Sequence, residues 1–136
     1  MATQIQLAPK RGGAAGARPA TEAAPRIVFL NAMPLNALPR RHISLDVLPV
    51  SLQELATWIQ RRLAEGYQLI HFIRHPATIQ ALRSIGIPLS EQPNAGLYQY
   101  APNDVLVVVT LRNPPRGQEQ VQVRPEDLET WIVSVL

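Results

Sequence analysis

The stretch from Tyr67 to Gly86, YQLIHFIRHPATIQALRSIG, limits what this chain can fold into more than any other. Leu69 to Ile73 is an apolar run of strand length, and Arg74, His75 and Pro76 break it. Ile79, Leu82 and Ile85 then recur at helical spacing, and Gly86 suits the stop. Proline is tolerated in a helix at the first turn, where its missing N–H has no partner to lose. His75 is therefore expected at a helix N-cap just past the carboxyl end of a buried strand. The N–H groups of Ala77 and Thr78 are expected to face the same point, and such a helix start attracts anions, phosphate above all. An imidazole placed there is either a chemical group beside an anion or simply a capping side chain.

The rest of the chain supplies partners for that unit. Arg26 to Leu30 (RIVFL) and Val105 to Leu111 (VLVVVTL) are nearly unbroken apolar runs, as central strands covered on both faces require. Leu97 to Tyr100 is expected to pair with the second as a hairpin, turned by Pro102-Asn103-Asp104. His42 to Leu48 alternates, so it predicts a half-buried strand near an edge. Ser51 and Glu54 form a capping box ahead of an apolar stripe of Leu52, Leu55, Ala56, Ile59 and Leu63, and Gly66 ends that helix. Pro125 to Leu128 predicts a helical turn, Gln118 to Val123 alternates weakly, and Trp131 to Leu136 predicts a closing strand. Strands alternate with helices early and become antiparallel later. The expected class is α/β, a small mixed β-sheet flanked by helices.

At 136 residues the chain is long enough for one domain with a substantial core. Residues 1–25 are rich in Ala, Gly and Pro without periodicity and are expected to be a flexible N-terminal leader, leaving 26–136 as the domain. With no cysteine there is no disulfide framework, and the three histidines, His42, His71 and His75, form no metal-binding pattern. No metal or cofactor is expected. No apolar run approaches a membrane span and no signal peptide is visible, so a cytoplasmic protein without a membrane partner is expected.

The net charge is +3, of which +2 lies in the leader, too little to argue for duplex nucleic acid. The distribution says more. No carboxylate occurs between Arg26 and Leu45 or between Gly66 and Ser90, segments that carry Arg26, Arg40, Arg41, Arg74 and Arg83. Twelve of the thirteen basic residues are arginine, whose planar fork suits phosphate, although codon bias gives the same skew. Asn31 and Asn36 follow the first strand, His75 the middle one, and Arg112 and Arg116 the last. If those strands are parallel, the loops meet on one rim, where open α/β sheets bind ligands. The bland alternatives are turn-forming asparagines and solvated loop arginines.

Three segments carry a resemblance. FLNAMPLNALPR resembles the opening strand and loop of the viral ring nucleases, the type III anti-CRISPR family. RHPATIQALRSIGI is similar to that family's histidine segment with its following helix, and VVVTLRNPPRG to its late strand and arginine loop. The resemblance implies a homodimer that binds cyclic tetra-adenylate, the second messenger of type III CRISPR defence. It also implies metal-independent cleavage to linear di-adenylate ending in a 2′,3′-cyclic phosphate, the ribose 2′-hydroxyl being the nucleophile. His75 falls on the general acid, Asn31, Asn36 and Thr78 on ligand contacts, and Arg112 on the phosphate-binding arginine. Arg74 or Arg116 could supply further positive charge. The chain departs from the pattern at Pro34, Pro76, Ala77, Ala95, Pro114 and Pro115, where the family has hydroxyl or charged side chains. Those losses imply slower cleavage, a ring of another size, or a cyclic oligoadenylate sponge or sensor that does not cleave.

Overall fold

A computed structural model describes residues 24–112 and 123–136. The expected leader (apart from residues 24 and 25), Arg116 and most of the weakly alternating segment before Val123 lie outside them. Strands β1 (Arg26–Leu30), β2 (Leu45–Val50), β3 (Gln68–His71), β4 (Val105–Leu111) and β5 (Leu128–Val135) form one sheet in the order β2-β5-β4-β1-β3. β1 pairs in parallel with both β3 and β4, and β5 runs antiparallel to β4 and to β2. The expected mixed α/β sheet is therefore present.

Helices α1 (Leu52–Ala64) and α2 (Pro76–Ser84) lie on the same face. There Leu55, Ile59, Ile79 and Leu82 meet Ile27, Phe29, Val105 and Val107, all buried. The opposite face, with Val28, Leu30, Leu106 and Val108, is covered by irregular chain bearing Leu38, Tyr98 and Tyr100. The helices thus flank one side only. β1 explains the arrangement at the sequence level. Its alternate residues enter the two cores, so every position from Ile27 to Leu30 is buried.

Local chemistry sets the element ends. The Ser51 hydroxyl accepts from the Glu54 N–H and the Glu54 carboxylate accepts from the Ser51 N–H, each at 3.1 Å, so the expected capping box forms. Both helices close in the same way. Gly66 (φ +99°) donates to Leu63 O while Tyr67 donates to Arg62 O; Gly86 (φ +96°) donates to Arg83 O while Ile87 donates to Leu82 O. These are paired C-terminal bonds that need a left-handed residue, which glycine adopts without strain. β2 is an edge strand. The Leu136 N–H donates to Ser44 O, which sets the ladder so that the nitrogen of Pro49 faces outward, where no donor is needed.

The strand expected over His42 to Leu48 is shifted to β2, and its four inner residues are exposed rather than half-buried. Two further expectations fail. Leu97 to Tyr100 is not a strand, and no hairpin with β4 forms, because β1 and β5 already occupy both edges of β4. β3 is not a fully buried strand but the other edge of the sheet. The Asn94 N–H donates to His71 O at 2.8 Å, so a loop covers part of that edge.

Candidate functional site

The parallel pairing of β3, β1 and β4 directs their carboxyl ends to one rim. Beyond that rim, on the loop-covered face, an open cavity of about 1000 Å³ lies between two segments of chain. One is the loop after β1, from Asn31 through the 3-10 turn Leu35–Ala37; the other is Gly96 to Tyr100. Asn31, Asn36 and Arg74 all line it, and all are exposed. The Arg74 Nη2 donates to Gly96 O at 3.2 Å, which ties the end of β3 to the second segment.

His75 does not line this cavity. Side-chain alternation is the reason: Ile70 and Phe72 face the loop side of the sheet and Ile73 the helix side. Continued for two residues, that alternation sends Arg74 into the cavity and His75 toward α2. His75 is the N-cap of α2, in extended conformation (φ −87°, ψ 108°), with Pro76 at the first helical position as expected. Its Nδ1 lies 2.8 Å from the Thr78 hydroxyl. A hydroxyl can donate or accept, so this contact suits the imidazolium with Nδ1–H donating and also the neutral ring with Nδ1 accepting. In either case it fixes the ring plane. The Thr78 N–H, expected to face an anion, instead donates to His75 O at 3.1 Å. Of the two amides expected there, Thr78's is occupied.

Arg112 is separated from the others by strand length. Leu30 pairs with Val108, so β4 runs three residues past the end of β1, or roughly 10 Å. There the Arg112 N–H donates to Asp127 O and its guanidinium pairs with Glu129 at 3.1 Å, beside a smaller cavity of about 400 Å³ that includes Ser51 and Trp131. Of the sequence-derived site residues, the fold therefore brings together Asn31, Asn36 and Arg74. It places His75 with Thr78 at the adjoining helix start and holds Arg112 apart.

Two polar side chains near the rim, His71 and Arg26, are structural. His71 is buried; its Nδ1 receives the Ile73 N–H at 3.3 Å, so its Nε2 carries the proton toward Ser90 O at 2.8 Å. Arg26 does not wait for phosphate. It forks onto Asp104 with Nε and Nη2 at 2.9 and 2.7 Å, and that hydrogen bonding, outweighing partial burial, raises its pKa further. Asp104 was expected only as a turn residue. It is buried and also receives the Tyr98 hydroxyl at 2.6 Å and the Ala101 N–H at 3.0 Å. Burial first, and then this bond to the carboxylate, lift the Tyr98 hydroxyl far above the usual tyrosine range. Arg26 and Asp104 are 78 residues apart, so no local pattern could have announced the pair.

Among the described residues no three His, Asp or Glu side chains gather as a metal site, and no helix is long and apolar enough to cross a membrane. No family model and no curated protein matches the sequence. Among solved structures, B116 of Sulfolobus turreted icosahedral virus superposes with a TM-score of 0.61 at 16% identity, over 79% of this chain and 97% of that one. At that identity the likeness is one of fold: this chain has the fold of a viral protein.

Proposed function

We propose that this protein is a ring nuclease that opens cyclic oligoadenylate, cyclic tetra-adenylate first among them, without a metal ion. The observation that carries the reading is the junction Arg74–His75. One peptide bond joins a guanidinium in the open cavity to an imidazole at the start of α2. A phosphodiester lying across this rim meets a cation on one side and a proton donor on the other. The viral fold likeness and the three matched sequence segments support the same reading.

The chemistry asks little of the protein. A ribose 2′-oxygen attacks the adjacent phosphorus, the P–O5′ bond breaks, and a 2′,3′-cyclic phosphate remains. The 2′-hydroxyl proton leaves to solvent, and the 5′-oxygen takes a proton from the His75 imidazolium. Two such events give two linear di-adenylates. In-line attack depends on holding the sugar and the phosphate in register. Asn31 and Asn36 would hold the nucleotides, Arg74 the phosphate charge, and Thr78 the imidazole. A second copy of the chain would close the open side of the cavity and bring the second His75, in a homodimer. Arg112 would act only at the periphery of a ring this large. Incubation with cyclic tetra-adenylate in chelator, followed by chromatography, tests the reading: di-adenylate with a 2′,3′-cyclic phosphate end is expected, and intact ring at stoichiometric protein refutes it.

One observation favours a second reading, a sponge or sensor that binds without cleaving. His75 and Thr78 bond to each other and stand outside the cavity that holds the amides and Arg74. Tight binding with no product would select it.

A further inference from the structure

Gly96 to Tyr100 belongs to none of the three matched segments and takes no part in the cleavage step, yet it builds one wall of the cavity. We infer that this wall, with Tyr100, Leu97 and Phe72 as its contact surface, is a nucleobase platform, and that adenine is the base it takes. The inference rests on the cyclic oligoadenylate reading and adds the element that recognises the base.

Three features carry it. The wall gathers the aromatic side chains of the cavity lining, Phe72, Tyr98 and Tyr100, while Asn31 and Asn36 lie on the other segment. Phe72 and Tyr98 meet edge to face at 5.8 Å, Tyr100 is half-buried beside them, and Leu97 stands 87% exposed at the mouth. An exposed leucine next to an aromatic cluster is unsatisfied surface that a flat ring can cover. The wall is also fixed before any ligand arrives. Arg74 holds Gly96 O, Arg26 holds Gln99 O at 3.2 Å, and Asp104 holds Tyr98 and the Ala101 N–H. A segment with its carbonyls and hydroxyl pinned at both ends loses little freedom on binding. Finally, Asn31 and Asn36 face this wall across the cavity. A side-chain amide offers a donor beside an acceptor, the pattern that matches adenine's amino group and its neighbouring ring nitrogen. Asp104 touches no ligand in this arrangement; it is a positioning residue that acts through Tyr98.

The test uses adenosine 5′-monophosphate and ribose 5-phosphate as probes on the full chain. Wild-type, Tyr100→Ala, Tyr100→Phe and Leu97→Ala proteins are compared by calorimetry and by saturation-transfer NMR. Tyr100→Ala should weaken the adenine nucleotide about tenfold, as loss of one aromatic stacking contact does, and Tyr100→Phe should restore it. Leu97→Ala, which removes only exposed surface, should weaken it severalfold without affecting folding. The sugar phosphate should be indifferent to all three, and saturation should be strongest on the base protons. With cyclic tetra-adenylate the same changes should raise KM and leave the saturated rate in place. Equal loss for both probes, or no loss for either, overturns the platform. The two proposals fail separately: adenine binding that depends on Tyr100 without ring opening sinks the nuclease and keeps the platform, and ring opening with an unchanged KM in Tyr100→Ala does the reverse.

Discussion

Replacing Asp104 by asparagine should unfold this protein more readily than any surface change, and the size of the effect follows from the geometry. The carboxylate is 1% exposed and receives four hydrogen bonds, from Arg26 Nε and Nη2, Tyr98 Oη and the Ala101 N–H. Asparagine keeps the shape but loses the charge and turns an N–H₂ toward donors. Removing one partner of a buried ion pair costs about 3–5 kcal/mol when the survivor is stranded. Here the survivor, Arg26, is 23% exposed and can regain some water, which places the cost at the lower end, about 3 kcal/mol. For a domain of this size that is a fall of roughly 10 °C in the melting midpoint. Arg26→Met should cost more than Asp104→Asn, because it leaves the deeply buried carboxylate uncompensated. Urea unfolding followed by circular dichroism measures both. A loss below about 1 kcal/mol for Asp104→Asn, or the reverse order of the two variants, would refute the network as a structural anchor.

Other outcomes follow from the same structure. Ser51→Ala removes the hydroxyl half of the α1 capping box and should cost about 1 kcal/mol in the same unfolding assay, with Ser51→Asp restoring most of it. The chain's three tyrosines are all shifted upward, Tyr67 to about 12, chiefly by burial, and Tyr98 and Tyr100 also chiefly by burial. A group whose folded pKa is raised favours the folded state fully below its unfolded value and less as pH climbs toward the folded one. Stability should therefore hold up to about pH 10 and fall through pH 12. Tyrosinate absorbance should lag behind that of free tyrosine and complete its rise together with loss of circular dichroism. A rise matching free tyrosine in the still-folded protein would contradict the burial assigned to the rings. Gly86→Ala places a side chain at φ +96° with open space around it, so backbone strain alone should destabilise by about 1 kcal/mol, again by urea titration.

Elements whose signals are local were legible in the sequence. The capping box at Ser51, the stops at Gly66 and Gly86, and the His75-Pro76 helix start each depend on residues within a few positions of one another, and each is found where expected. The covered strands were legible because VLVVVTL and RIVFL are nearly unbroken apolar runs, whereas the shared rim depended on parallel pairing, which only the sheet itself supplies. What failed was pairing. Leu97 to Tyr100 has strand-forming residues and a turn beside it, but a strand also needs a free edge, and β4 offers none. The segment crosses the sheet face instead, which creates the cavity wall. The same long-range competition decided Arg26, which binds Asp104 rather than an incoming anion. It also decided Arg112, which the extra length of β4 carries past the cavity and beside Glu129. The division between Arg74 and His75 was present in the strand alternation all along, but only the two cores show which face each residue takes.

In the proposed reaction the imidazole at the start of α2 gives its proton to a departing 5′-oxygen. Single-turnover decay of cyclic tetra-adenylate, measured with protein in excess for the wild type and for His75→Ala alongside their calorimetric affinities, tests it most directly. Equal affinities are expected, with a rate lowered about 10²- to 10⁴-fold in the variant and di-adenylate 2′,3′-cyclic phosphate as the wild-type product. Equal rates for the two proteins, or an intact ring after prolonged exposure to the wild type, would contradict it.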